Sequence, residues 1–265
     1  MSTEKIIKKQ AKNSLVGNWS LIICALLVLC AVAILLNSIF YFIISNFKLV
    51  DINTGVVFSQ RKFIYNLVTV IITATAIFVS PLINGVLKMS GEVALNSRTE
   101  IFTLFYFFRS FKRYVKTLCL NIVLAVLCAV LFYGLDVYAL ISHLLKADLH
   151  SDAGFDIITL ALFAAYTVTI VIRILIYLIF VHYPLMTYSL DDSKNVLKYL
   201  FGYIGFAIKN LGNSIKLLIS FAGWIVVCFF VVPTFYVLPY LMTSATISAK
   251  WLLIIDENFQ CDNIG

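Results

Sequence analysis

Charge is scarce in this chain. Only 12% of its 265 residues are Asp, Glu, Lys or Arg, about half the share of an ordinary water-soluble domain. So few ionic groups exclude a soluble globule of this length. Cysteine chemistry is missing as well. Cys24, Cys30, Cys119, Cys128 and Cys228 fall inside apolar runs and Cys261 in the tail, with no C-x-x-C pair and no zinc spacing. They read as small buried hydrophobes. Enzyme signatures are absent too: no G-x-S-x-G, no glycine-rich phosphate loop, no H-E-x-x-H and no paired intramembrane carboxylates. No cofactor, metal centre or catalytic residue is therefore expected, and the chain reads as no enzyme.

What the chain has is apolar length. Hydrophobic residues make up 62% of it and come in long runs. A helix needs about 20 apolar residues to cross a hydrocarbon core about 30 Å thick. Six segments meet that need, approximately 20–44, 63–87, 117–142, 157–186, 213–232 and 234–254. In lipid the backbone must satisfy its own hydrogen bonds, and no closed-barrel alternation occurs, so each segment is expected to be helical. The first run, Leu21 to Ile44, is too long for a signal peptide and shows no cleavage pattern. The expected fold class is all-α: a single domain over 1–265, a polytopic membrane bundle of six transmembrane helices with three amphipathic interfacial helices on the cytoplasmic side.

The net charge of +7 is carried by residues flanking apolar segments. That distribution fits threading and anionic lipid headgroups rather than nucleic acid. Fifteen of the 20 basic residues flank one side of the six segments and four the other, with Arg173 inside a segment. The bias places both termini in the cytoplasm.

Three segments on the lysine-rich side are basic and amphipathic. The first sets Ile7, Ala11 and Leu15 beside Lys5, Lys8, Lys9 and Lys12. The second carries Ile101, Leu104, Phe105, Phe108, Phe111 and Val115 as a stripe, with Ser97 and Glu100 at capping-box spacing. The third has Asp191 or Asp192 as a cap and Val196, Leu197, Leu200, Phe201, Ile204 and Ile208 as its apolar face. Between the first of these and the first span stands AKNSLVGNWS. There Gly17 and Asn18 are expected to turn the chain from lying on the membrane to crossing it. Trp19 and Trp251 are expected as interfacial anchors, and KNLGNS (209–214) echoes the corner.

The stretches AKNSLVGNWS, SPLINGVLKMSGE followed by IFTLFYFFRSFKRY, and SFAGWIVV with LPYLMTSATISAKWL fall in an order that resembles the bacterial integral-membrane family catalogued as domain of unknown function 975. The likeness spans nearly the whole chain. It departs at the third amphipathic helix, which carries fewer charges, and at SAKW, where an aromatic pair often stands. The resemblance implies the same architecture in a bacterial plasma membrane, and implies no catalytic residues.

Arg173, in TVTIVIRILIYLIF, is the sharpest polar feature, because an intramembrane Arg costs about 2.5–3.5 kcal/mol on insertion scales. Three readings are open: snorkelling to the cytoplasmic face, an ion pair with Asp136 of LFYGLDVYAL, or contact with a substrate or lipid headgroup. The outer loop with His143, Asp148, His150, Asp152 and Asp156 matches no metal pattern and reads as a solvated acidic loop. His182 reads as an interfacial hydrogen-bonder. Three functions follow as alternatives. One is a non-enzymatic membrane component binding partner proteins or lipids. The others are a transporter or transport accessory for a small, lipid-like or peptide solute, and a lipid-modifying enzyme.

Overall fold

The computed structural model describes residues 3–50, 57–134, 136, 155–190 and 195–255. These residues are helical almost throughout: α1 (Thr3–Leu15), α2 (Trp19–Asn46), α3 (Lys62–Val79), α4 (Pro81–Ala94), α5 (Phe111–Gly134), α6 (Phe155–Ile179), α7 (Tyr183–Ser189), α8 (Val196–Lys209), α9 (Leu211–Val227) and α10 (Val231–Ile255). Two 3₁₀ segments, Ser59–Arg61 and Ile101–Phe108, precede α3 and α5. No strand forms among the described residues; Val50 and Val57 make an isolated bridge. Among the described residues, five lengths are long and apolar enough to cross a membrane: α2, the run through α3 and α4, α5, the run from α6 into α7, and α10. The pair α8 and α9, bent by 70°, makes a sixth if counted as one span.

The expected segments 63–87 and 157–186 are each two helices. Pro81 and Pro184 sit in the first turn of α4 and α7, where a missing N–H costs nothing and the fixed φ favours a new start. Each proline therefore divides an apolar helix into a longer length and a shorter one that follows it. The two lengths differ in packing. Helix α3 buries no residue, whereas α4 buries ten, among them Leu82, Val86, Met89 and Val93. The main core joins these to Ile7, Ala11 and Leu15 of α1, Ile22, Ala25 and Leu26 of α2, and Leu217 and Phe221 of α9. A second cluster gathers Phe107, Leu120, Met186, Leu200 and Tyr203. The core thus lies at the lysine-rich end. Away from that end, α2 and α3 leave Leu35, Phe42, Phe63 and Val70 exposed, as lipid-facing residues should be.

Helix α10 runs through that core. Its stretch Thr243–Ala249 is fully or almost fully buried and consists mainly of Thr, Ser and Ala. Small side chains let α1, α4 and α7 approach its backbone, the usual basis of helix packing in lipid. Helix α4 is approached closely from another side: Gly85 faces the backbone of Leu104 in the 3₁₀ segment.

Two expected caps are replaced. The Ser97 hydroxyl donates to the Glu92 carbonyl (2.8 Å), closing the end of α4, and Glu100 makes no side-chain cap. The following segment is 3₁₀, with three residues per turn. Leu104 and Phe107 point inward in consequence, while Ile101, Phe102, Phe105, Phe108 and Phe111 remain exposed. At α8 the cap is Asn195, whose Oδ1 accepts from the Leu197 N–H at 3.2 Å; Asp191 and Asp192 lie outside the described residues. Helix α8 buries Leu200, Tyr203, Phe206 and Ala207, and leaves Leu197, Phe201 and Ile208 exposed on another face.

The corner forms at Gly17, whose φ is +85°. The Asn18 N–H donates to the Leu15 carbonyl at 2.9 Å and its side chain to the Ser14 carbonyl at 3.3 Å, satisfying the end of α1. No atom crowds a side chain at position 17, so only the left-handed backbone penalises substitution. Gly17→Ala is expected to lower stability by about 1 kcal/mol and Gly17→Asn by less, read as midpoints of thermal unfolding in detergent. The echoed corner at KNLGNS bends by 70° at Asn210, without a left-handed glycine.

Candidate functional site

The structure brings Arg173 and Asp136 together. Arg173 lies in the last third of α6, while α5 ends at Gly134, two residues before Asp136. Arg173 Nη2 donates to Asp136 Oδ2 at 3.0 Å, with side chains 44% and 22% exposed. Around Arg173 on the same helix, Ile170, Ile174 and Tyr177 are exposed apolar surface. In hydrocarbon a paired charge is far less costly than a single one, and pairing is the usual state of intramembrane ions. The outer loop with His143, Asp148, His150 and Asp152 lies outside the described residues.

A polar relay crosses the proline break of the second span. Asn84 Nδ2 donates to Asn121 Oδ1 (2.9 Å), and Asn121 Nδ2 donates to Ser80 Oγ (2.8 Å). It ties α5 to the junction of α3 and α4 and satisfies Asn84, which is buried. At the matching break of the fourth span, His182 is fully buried. Its Nδ1 lies 3.3 Å from Ser214 Oγ, and its ring is 6.2 Å from that of Phe206. A cavity of about 10 Å³, lined by His182, Tyr199, Tyr203, Met186 and Phe206 among others, adjoins it. That volume admits about one water. His182, expected as a hydrogen-bonder, makes its contact with Ser214 inside the protein core.

Charges counted in the sequence as flanking bind aromatic rings and backbone. Lys8 Nζ donates to the Ser220 carbonyl of α9 and stands 4.2 Å over the Phe221 ring. Tyr240 Oη donates back to the Lys8 carbonyl at 3.3 Å. Partial burial lowers the Lys8 pKa below its usual value. Lys8 shares the helix face of Ala11 and Leu15, three and seven residues on, and that spacing was the available sign that it points inward. Lys88 Nζ and Arg113 Cζ both stand over the Tyr106 ring, at 4.2 and 4.6 Å. These cation–π contacts fasten α4 and α5 to the 3₁₀ segment.

Of the anchors, Trp19 stacks on Tyr236 of α10 with centroids 4.4 Å apart and planes at 7°, and Trp251 is exposed near the end of that helix.

Long apolar helices, a core at one end, lipid-type outer surfaces and basic side chains at the core end together define a helical membrane protein. No protein-family model, no curated protein and no solved structure matches the chain.

Proposed function

We propose that the protein is a non-enzymatic component of a bacterial plasma membrane, with both termini in the cytoplasm, that binds partner proteins or anionic lipid through its lysine-rich face. One observation carries this reading. The 3₁₀ segment and α8 each hold the core with one face and leave a second apolar face open: Phe102, Phe105 and Phe108 on one, continued by Phe111 at the start of α5, and Leu197, Phe201 and Ile208 on the other. Arg109, Lys112, Arg113 and Lys116 follow the first face directly. Apolar and basic groups at one level suit the membrane interface and anything docked there. The count of basic residues supports the orientation, and the resemblance to the domain of unknown function 975 family supports the bacterial setting.

Photo-reactive phenylalanine at Phe105 and Phe201, activated in native membranes, tests the reading. Reproducible adducts with one protein species, or with anionic over zwitterionic phospholipid, are expected at both positions. Random adducts matching bulk membrane composition, with no partner recovered by pull-down, would remove it.

A transporter or transport accessory is the second reading, favoured by the Arg173–Asp136 pair. A cleft of about 440 Å³ between α2 and α3, lined by Asn37, Phe40, Thr69 and Thr73 among others, adds a lateral recess open to lipid.

A further inference from the structure

We infer that the hairpin of α9 and α10 enters the membrane from the lysine-rich side and turns back inside that leaflet. Four of the six apolar segments then cross, and the tip of the hairpin contacts acyl chains instead of either aqueous phase.

The argument starts from Trp19, the first residue of α2, whose ring lies flat on Tyr236 at 4.4 Å. Tyr236 is only five residues beyond Val231, where α10 begins, so the turn stands about 7.5 Å further along the helix axis. Helix α2 continues for 27 residues past Trp19 to Asn46, about 40 Å. A turn that had crossed would need to stand about 30 Å from the start of α2. Trp224 of α9 comes within 5.7 Å of the Tyr236 ring, so both arms of the hairpin meet the same level. The buried residues of α2 give the same depth: Ile22, Ala25 and Leu26 join the main core with Leu217, Phe221 and Tyr240, and all lie in its first two turns. The other helices packed on α10 are α1, α4 and α7, each at the lysine-rich end.

The tip is made for hydrocarbon. No charged residue occurs between Lys216 and Lys250. Phe229 is 96% exposed, and Phe230 and Val232 are nearly as open. Large apolar groups so exposed do not belong in a loop bathed by water. Three N–H groups of the turn and one of its carbonyls are satisfied internally. The N–H groups of Cys228, Phe229 and Phe230 donate to carbonyls of Trp224, Val226 and Val227 at 3.1–3.2 Å, and the Thr234 hydroxyl donates to the Cys228 carbonyl at 3.2 Å. Lipid-exposed backbone requires this closure, because nothing in the bilayer core can replace water. The leaflet on the lysine-rich side is the occupant, since the hairpin continues the apolar belt of α2 there and has no reach to the other.

The test uses the full chain in membranes. With native cysteines replaced, spin labels are placed at Phe229→Cys with either Val16→Cys or Lys48→Cys. The distance from 229 to 16 is expected to be shorter than that from 229 to 48 by at least about 15 Å, half the thickness of a hydrocarbon core. The reverse order would mean that the hairpin crosses, and would overturn the inference. In the unaltered chain, native Cys228 is mapped after treatment with a membrane-impermeant maleimide from each side. It is expected to react at least about tenfold more slowly than Gln60→Cys or Lys9→Cys, because a water-soluble maleimide does not reach a thiol among acyl chains. Rapid labelling from the Gln60 side shows a crossing hairpin. Rapid labelling from the Lys9 side shows a hairpin in water. Either result overturns the inference without relying on a cysteine-free background.

Discussion

Gly85→Ala is expected to remove most of the folded protein from the membrane. A Cβ built at position 85 overlaps the carbonyl oxygen of Leu104 and stands 2.8 Å from its carbonyl carbon and 3.0 Å from its Cα. All three are backbone atoms, so no side-chain rotation relieves the contact. Either α4 or the 3₁₀ segment must withdraw, and with the segment go Leu104 and Phe107, each 1% exposed. Overpacking typically costs 1–3 kcal/mol; with backbone on both sides the cost here is put at about 3 kcal/mol or more. Gly91→Ala is the comparison. The atom nearest its Cβ is the Cβ of Tyr188 at 2.7 Å, which no side-chain rotation moves, so α4 and α7 must part slightly, and its expected cost is about 1–2 kcal/mol. Abundance in the membrane and the monodisperse fraction after solubilisation measure both. Wild-type values for Gly85→Ala would show that α4 and the segment do not approach this closely.

Asp136→Ala is expected to destabilise by about 2–3 kcal/mol, close to the insertion cost of an intramembrane Arg, because it leaves the guanidinium of Arg173 without its carboxylate. Arg173→Ala combined with Asp136→Ala should cost less than Asp136→Ala alone, since no charge is then left unmatched. The interaction energy of the cycle separates the readings open from sequence. If Arg173 escapes to the aqueous face by its own length, Asp136→Ala costs almost nothing and the cycle closes near zero. If the pair also serves a solute, a conservative Arg173→Lys should keep abundance while changing a substrate-dependent phenotype.

The lipid-facing character of the helices was legible because it depends only on local composition. A run such as LIICALLVLCAVAILL permits no other solvent. The corner was legible for a similar reason: a helix end needs a residue tolerant of positive φ, and Gly17 was the one available. The 3₁₀ geometry of 101–108 was not, since its aromatic run suits a period of 3.0 or 3.6 equally well. The packing of α4 decides between them, and that packing is long-range. The burial of His182 was missed because Ser214 and Phe206, its partners, lie 32 and 24 residues away. The Arg173–Asp136 contact was one of three open readings, because counting residues along a span does not say which side chains on separate helices meet.

Lys8 and Ser220 are 212 residues apart, yet their contact joins α1 to α9. A ribosome adding about 5–20 residues per second makes the second residue some 10–40 s after the first. Through that interval the N-terminal helix has no finished seat, and its apolar face of Ile7, Ala11 and Leu15 must rest on the bilayer surface. Its amphipathic pattern therefore serves two environments in succession: lipid while the chain is being made, protein once the last hairpin arrives. Docking of the chain's beginning onto its end becomes the closing event of assembly, and a chain cut short before α9 would leave that first helix on the membrane surface.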